Sequence, residues 1–194
     1  VYDDAAVLKR WLAGEGNNAR TATFFNLLPM HDGNHFPGVT KTADYKVRAQ
    51  KLFDQLDAFM DELEKSGRKV MVVVVPEHGA ALKGDKMQVS GLRDIPSPSI
   101  TNVPAGVKFV GMKAPHQGSA IEITQPSSFL AISELVARSV DGKNFVADQV
   151  DWNALTGNLP QTAPVSENSN AVVIQYQDKP YVRLGGGNWV PYPQ

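Results

Sequence analysis

Two short stretches of the 194-residue chain carry ligand-type side chains at places where a strand should end. The first is Pro29-Met30-His31-Asp32-Gly33-Asn34-His35, directly after Thr21–Leu28. The second is Pro76-Glu77-His78-Gly79, directly after the apolar run Val70–Val75. In an open α/β sheet, ligands bind beyond the carboxyl ends of the strands. Adjacent residues of a regular strand point to opposite faces, so Glu77 and His78 converge on one atom only if the backbone turns there. Pro76 stops the ladder and Gly79 allows a tight turn. A carboxylate oxygen beside an imidazole nitrogen suits zinc or a similar divalent ion. The competing reading is a solvated Glu–His pair on the surface. Taken singly, His31 and His35 read as loop histidines bonded to nearby backbone, and Arg93 as a surface charge. His116 carries only a weak case for a role. Neither a G-x-S-x-G nucleophile elbow nor a Walker A loop occurs.

The elements that would position these residues follow from periodicity. Tyr2–Ala13 reads as a short helix with Asp3 and Asp4 at its positive end. Thr21–Leu28, β-branched and aromatic, reads as a strand ended by Pro29. Tyr45, Ala49, Leu52, Leu56, Phe59 and Leu63 recur at spacings of four and three, the apolar stripe of an amphipathic helix. Ser66-Gly67 ends that helix with a residue suited to the left-handed cap. The run Val70–Val75 is apolar at every position, as in a strand buried on both faces, and helix followed by buried strand predicts an α/β domain with a parallel sheet. Further along, Val107–Met112 predicts a strand and Ser127–Ser139 a helix with an i,i+4 pair, Glu134 and Arg138. Gln161–Asn170 reads as a polar loop. Ala171–Tyr176 and Pro180–Leu184 predict a hairpin, and Gly185–Gly187 turn into a third strand, giving a small antiparallel meander.

Composition narrows the classes. Nineteen Lys and Arg against twenty Asp and Glu give a net charge of -1, with no basic stripe of the kind nucleic acid requires. No apolar run approaches the roughly 20 residues that span a bilayer. The chain has no Cys, so disulfides, thiolate–zinc sites and thiol catalysis within it are excluded.

The stretch Val72-Val73-Val74-Val75-Pro76-Glu77-His78-Gly79-Ala80-Ala81-Leu82 resembles the strand and metal-binding turn of the phosphoethanolamine transferases, members of the alkaline phosphatase superfamily. Leu28-Pro29-Met30-His31-Asp32-Gly33-Asn34-His35-Phe36-Pro37 resembles their earlier histidine loop. Against the wider superfamily the likeness covers about residues 1–93. To the subunits of this family that serve bacterial cellulose synthesis it extends from Val1 to Gln194.

The resemblance implies an alkaline-phosphatase-like fold, with a mostly parallel central sheet flanked by helices ahead of the antiparallel meander. It implies zinc held by Glu77 and His78, with Glu77 in place of the commoner Asp. His31 matches a histidine that faces the substrate phosphate, and His35 a second substrate-binding position, less closely because the loop is one residue shorter. Ser90 stands where relatives carry another phosphate-facing His. Arg93, three residues on, is the candidate replacement, because a guanidinium grips two phosphate oxygens at once.

The implied reaction transfers phosphoethanolamine from phosphatidylethanolamine to cellulose through a covalent enzyme intermediate, in company with other cellulose synthase subunits. The family's Ser or Thr nucleophile and another zinc ligand fall upstream of the position matching Val1. Residues 1–194 are therefore expected to be the carboxyl-terminal part of one periplasmic catalytic domain of an inner-membrane protein, tied to the membrane by a segment absent here and inactive alone. Two other readings remain open on sequence. One is a non-catalytic interaction domain; the other is a sulfatase-like or phosphodiesterase hydrolase of the same superfamily.

Overall fold

The computed structural model of the chain describes residues 3–14, 20–31, 36–38, 44–80, 82–84, 86–89, 92–113, 120–163 and 165–192. The chain divides into two compact units, residues 1–70 and 71–194.

The first unit holds two helices, α1 (Asp4–Gly14) and α2 (Tyr45–Lys65). Asp3 caps α1, its Oδ1 accepting from the Ala6 N–H at 3.0 Å. Asp4 is instead buried, and burial holds its carboxyl above the usual carboxylate range against the opposing hydrogen bond from the Leu28 backbone. The α2 stripe is half-buried from Ala49 to Phe59 and fully buried at Leu63, while Tyr45 at its start is exposed; Gly67 lies beyond at φ +69°. Asp44 is the N-cap of α2, accepting from the Val47 N–H at 2.9 Å. Asp44→Ala is expected to cost about 1 kcal/mol in urea unfolding, the usual loss when a capping carboxylate is removed.

Residues 21–28 do not form the expected strand; no strand pairs with them among the described residues. β-branched and aromatic side chains favour extended backbone, but a strand exists only where a neighbour takes up its N–H and C=O groups. This segment is held by side chains instead. Trp11 packs edge-on against Phe25 at 5.7 Å and donates from Nε1 to Thr23 Oγ1 at 3.1 Å, while Phe24 is 89% exposed.

The second unit contains β1 (Val70–Val74, starting at the boundary), α3 (Pro98–Thr101), β2 (Gly106–Val110), α4 (Phe129–Ser139), α5 (Lys143–Ala147), α6 (Trp152–Thr156), β3 (Val165–Glu167), β4 (Ala171–Tyr176), β5 (Lys179–Leu184) and β6 (Val190–Pro191). Among the described residues β1 pairs with β2 in a two-stranded sheet, and β3-β4-β5-β6 form a four-stranded antiparallel meander; the mostly parallel central sheet expected from sequence is not seen among them. β1 is half-buried at all five positions, so an all-apolar run here marks partial cover on both faces.

Phe109 of β2 joins Leu135 of α4 and Leu155 of α6 in one core, with Met71 of β1 against it. The Glu134–Arg138 pair forms at 2.9 Å, and Arg138 Nη1 also donates to the carbonyls of Ala154, Leu155 and Gly157 at the end of α6. A second core joins Ile95 to Ala171, Val173, Val182 and Tyr192 of the meander. The β4–β5 hairpin closes through Gln177 and Asp178, both at positive φ (47° and 60°), as a two-residue turn matched to strand twist demands. β3 lies inside the stretch read as a polar loop; three residues are too few to show a period.

Candidate metal centre

The site is built where β1 ends. Pro76 has no N–H to continue a ladder, and the chain leaves the sheet with Glu77 and His78 exposed. Gly79 then anchors the turn. Its N–H donates to the Ile100 carbonyl at 2.6 Å, and a Cβ at this position would lie 2.2 Å from the Ser99 carbonyl oxygen. So α3 docks its backbone directly on the turn. Ile100, buried, holds α3 in place, and Pro98 starts the helix where a missing N–H costs nothing.

The turn sets the tautomer of His78. Its Nδ1 lies 2.6 Å from the Gly79 carbonyl oxygen, which can only accept, so Nδ1 carries the proton. Nε2 lies 2.6 Å from Nη1 of Arg93, which can only donate, so Nε2 presents its lone pair. That lone pair is the atom a metal would use. A backbone carbonyl on the opposite ring nitrogen is the usual outer support of a metal-bound histidine.

Arg93 is exposed, yet the chain on its carboxyl side is clamped. The buried Gln88 side chain donates from Nε2 to the Ile95 carbonyl at 2.8 Å and accepts from the Ile95 N–H at 3.1 Å. Asn168 Nδ2 donates to the Asp94 carbonyl at 2.5 Å. A loop and the meander together fix the two residues that follow Arg93. Neither Gln88 nor Asn168 has a sequence signal; each acts through a backbone partner that only folding supplies.

Of the other candidates, His31 lies in the first unit, in a turn where its N–H donates to the Leu28 carbonyl at 3.1 Å. The same loop is pinned by Arg48, whose Nη1 donates to the Met30 carbonyl at 3.4 Å. His35, Ser90 and His116 lie outside the described residues.

Glu77 and His78 fit a divalent ion by donor chemistry, one carboxylate oxygen and one imidazole nitrogen with its lone pair outward. Among the described residues no group of three or more His, Cys, Asp or Glu side chains converges. The pair would supply at most two donors, half of a tetrahedral zinc shell.

These features define a mixed α/β chain with a candidate metal-binding turn after β1. Over residues 1–189 it matches the family described as cellulose biosynthesis protein BcsG C-terminal domain, and the chain belongs to that family. It is 81% identical, over its whole length, to the cellulose biosynthesis protein BcsG of Salmonella typhimurium strain LT2, and 78% identical to that of Escherichia coli strain K12. It spans 35% of the length of each of these curated relatives.

Proposed function

We propose that this chain is the carboxyl-terminal part of the catalytic domain of a zinc-dependent transferase that moves phosphoethanolamine from phosphatidylethanolamine to cellulose. The fold of the complete domain is alkaline-phosphatase-like, and it works in the periplasm at the inner membrane beside other cellulose synthase subunits. The observation that carries this reading is the β1 turn, where the Gly79 carbonyl leaves the Nε2 of His78, the residue after Glu77 in sequence, unprotonated and the Arg93 guanidinium lies on that nitrogen. Membership of a family named for cellulose biosynthesis supports the acceptor. Among the described residues no helix is long and apolar enough to cross a membrane.

Glu77 and His78 would hold the zinc, with the remaining ligands and the Ser or Thr nucleophile supplied from the rest of the protein. Held there, zinc would supply Lewis-acid stabilisation of charge on a phosphoryl oxygen and would make a nearby hydroxyl a better nucleophile. The residues of this chain do the rest. The Gly79 carbonyl keeps the His78 proton on Nδ1 and Nε2 free. The Arg93 guanidinium, 2.6 Å from Nε2, stands beside the residues that would hold the metal. There it pairs with the equatorial phosphoryl oxygens, whose charge it meets in the transition state. By the family resemblance, His31 would be a phosphate-facing residue whose ring can move a proton. His35 contributes to the same phosphate-binding loop.

The test is the full-length protein with phosphatidylethanolamine and a cello-oligosaccharide. Mass spectrometry should find phosphoethanolamine on the sugar; its release into water with none on the sugar would assign a hydrolase instead. Arg93→Ala should leave the zinc content intact and slow transfer by about 10²-fold, the usual loss of a transition-state charge partner. Arg93→Lys should recover only part, since an ammonium makes no two-pronged contact. Full transfer in Arg93→Ala would remove the guanidinium from the mechanism.

A further inference from the structure

Arg93 reaches His78 from a segment that is neither helix nor strand. A long, flexible side chain places its guanidinium only as well as the backbone beneath it is placed. The backbone just beyond Arg93 is held with unusual thoroughness. The Ile95 N–H donates to Gln88 Oε1 at 3.1 Å, and the Ile95 carbonyl accepts from Gln88 Nε2 and from the Ser97 N–H, both at 2.8 Å. The Ile95 side chain is buried with Ala171, Val173 and Val182 of the meander. Further on, the Ile100 carbonyl accepts from the Gly79 N–H, in the turn that carries His78. The stretch from Arg93 to Ile100 therefore runs from the meander to the candidate site, and Arg93 stands at its start.

Asp94, the residue between Arg93 and Ile95, is anchored by a side chain from the far end of the sequence. Asn168 donates from Nδ2 to the Asp94 carbonyl at 2.5 Å. The Asn168 amide is itself locked in the turn between β3 and β4. Its Oδ1 accepts from the N–H groups of Asn170 at 2.8 Å and Ala171 at 2.9 Å, and its own N–H donates to the Ala171 carbonyl at 2.9 Å. With the amide oxygen committed to two donors, the NH2 group faces the Asp94 carbonyl. We infer that Asn168 is a positioning residue of the candidate site: it ties the β3–β4 turn to the backbone beside Arg93 and so sets where the guanidinium stands. The inference rests on the reading above of Arg93 as the group that pairs with the phosphoryl oxygens. Asn168 acts through Arg93 alone and touches neither metal nor substrate. Small displacements matter in such a role, since a shift of about 1 Å in a positioned group can cost on the order of 10²-fold in rate.

The experiment uses Asn168→Asp in the full-length protein. Aspartate keeps the oxygen that accepts within the turn, but it sets a second oxygen against the Asp94 carbonyl, acceptor against acceptor. The tether is cut and the turn is kept. Hydrogen exchange at the Ile95 amide, followed by mass spectrometry, should become about tenfold faster, the scale of one lost hydrogen bond in a local opening. With phosphatidylethanolamine and a cello-oligosaccharide, kcat should fall about tenfold at unchanged KM and unchanged zinc, the pattern of an interaction weakened only in the transition state. The same change made in Arg93→Ala should slow transfer no further, because the group it positions is gone. An equal slowing with and without Arg93 would overturn the inference, since the amide would then serve the fold and not the guanidinium. So would transfer at the parental rate in Asn168→Asp, or unchanged exchange at Ile95. A parent protein that transfers nothing would sink the transferase reading instead; faster exchange in the variant would then still support Asn168 as the anchor of the Arg93 segment.

Discussion

Replacing His78 by Ala in the full-length protein should remove zinc from the proposed site and abolish the proposed transfer while leaving the fold unchanged. His78 and Glu77 are both exposed at the end of β1, so their removal opens no cavity and strands no buried partner. What is lost is the Nε2 lone pair, which the Gly79 carbonyl keeps directed outward by holding the proton on Nδ1. Outer-shell partners of metal ligands are worth roughly 10–100-fold in affinity, and a ligand itself should exceed that. Glu77→Gln should act in the same direction, because an amide keeps the shape of the carboxylate but not its charge. Elemental analysis of zinc per protein reads the effect directly, with circular dichroism as the control for folding. Zinc at the parental level in both variants would remove the turn from the metal site.

Gly79→Ala should be the more disruptive change to the protein as a whole. A Cβ there would meet the Ser99 carbonyl oxygen at 2.2 Å and the Ser99 carbonyl carbon at 3.2 Å. Both are backbone atoms, so no side chain can swing aside. The turn must move off α3, and the 2.6 Å bond from the Gly79 N–H to the Ile100 carbonyl is lost with it. Overpacking plus one lost backbone bond amounts to about 3 kcal/mol. Urea unfolding should show a lowered midpoint with unchanged slope. Zinc should fall in the same variant although Glu77 and His78 are intact, because their turn is displaced. A variant as stable as the parent, with full zinc, would show that the packing of α3 on the turn is unimportant.

The residues of the candidate site were legible because each has a distinctive type at a distinctive place. Glu77 and His78 follow Pro76 at the end of a valine run, and a proline that stops a ladder is visible in any sequence. Their support was not legible. Gly79 reads as a flexible turn residue, whereas in the structure its missing Cβ makes room for a carbonyl twenty residues away. Gln88 and Asn168 read as ordinary polar residues, whereas their amides clamp the backbone at Ile95 and Asp94.

The same division runs through the fold. The sequence by itself determined what depends on neighbours within a few positions. These are the α2 stripe and its Gly67 end, the Glu134–Arg138 pair, the β1 run and the β4–β5 hairpin. Each rests on period, cap or turn chemistry, which local spacing encodes. Only the tertiary structure decided how strands combine. Residues 21–28 have the composition of a strand and no strand partner among the described residues, β1 has one neighbour, and the larger sheet is the antiparallel one. A strand is a hydrogen-bonding agreement between distant segments, and a composition that permits it does not say which partner will be there.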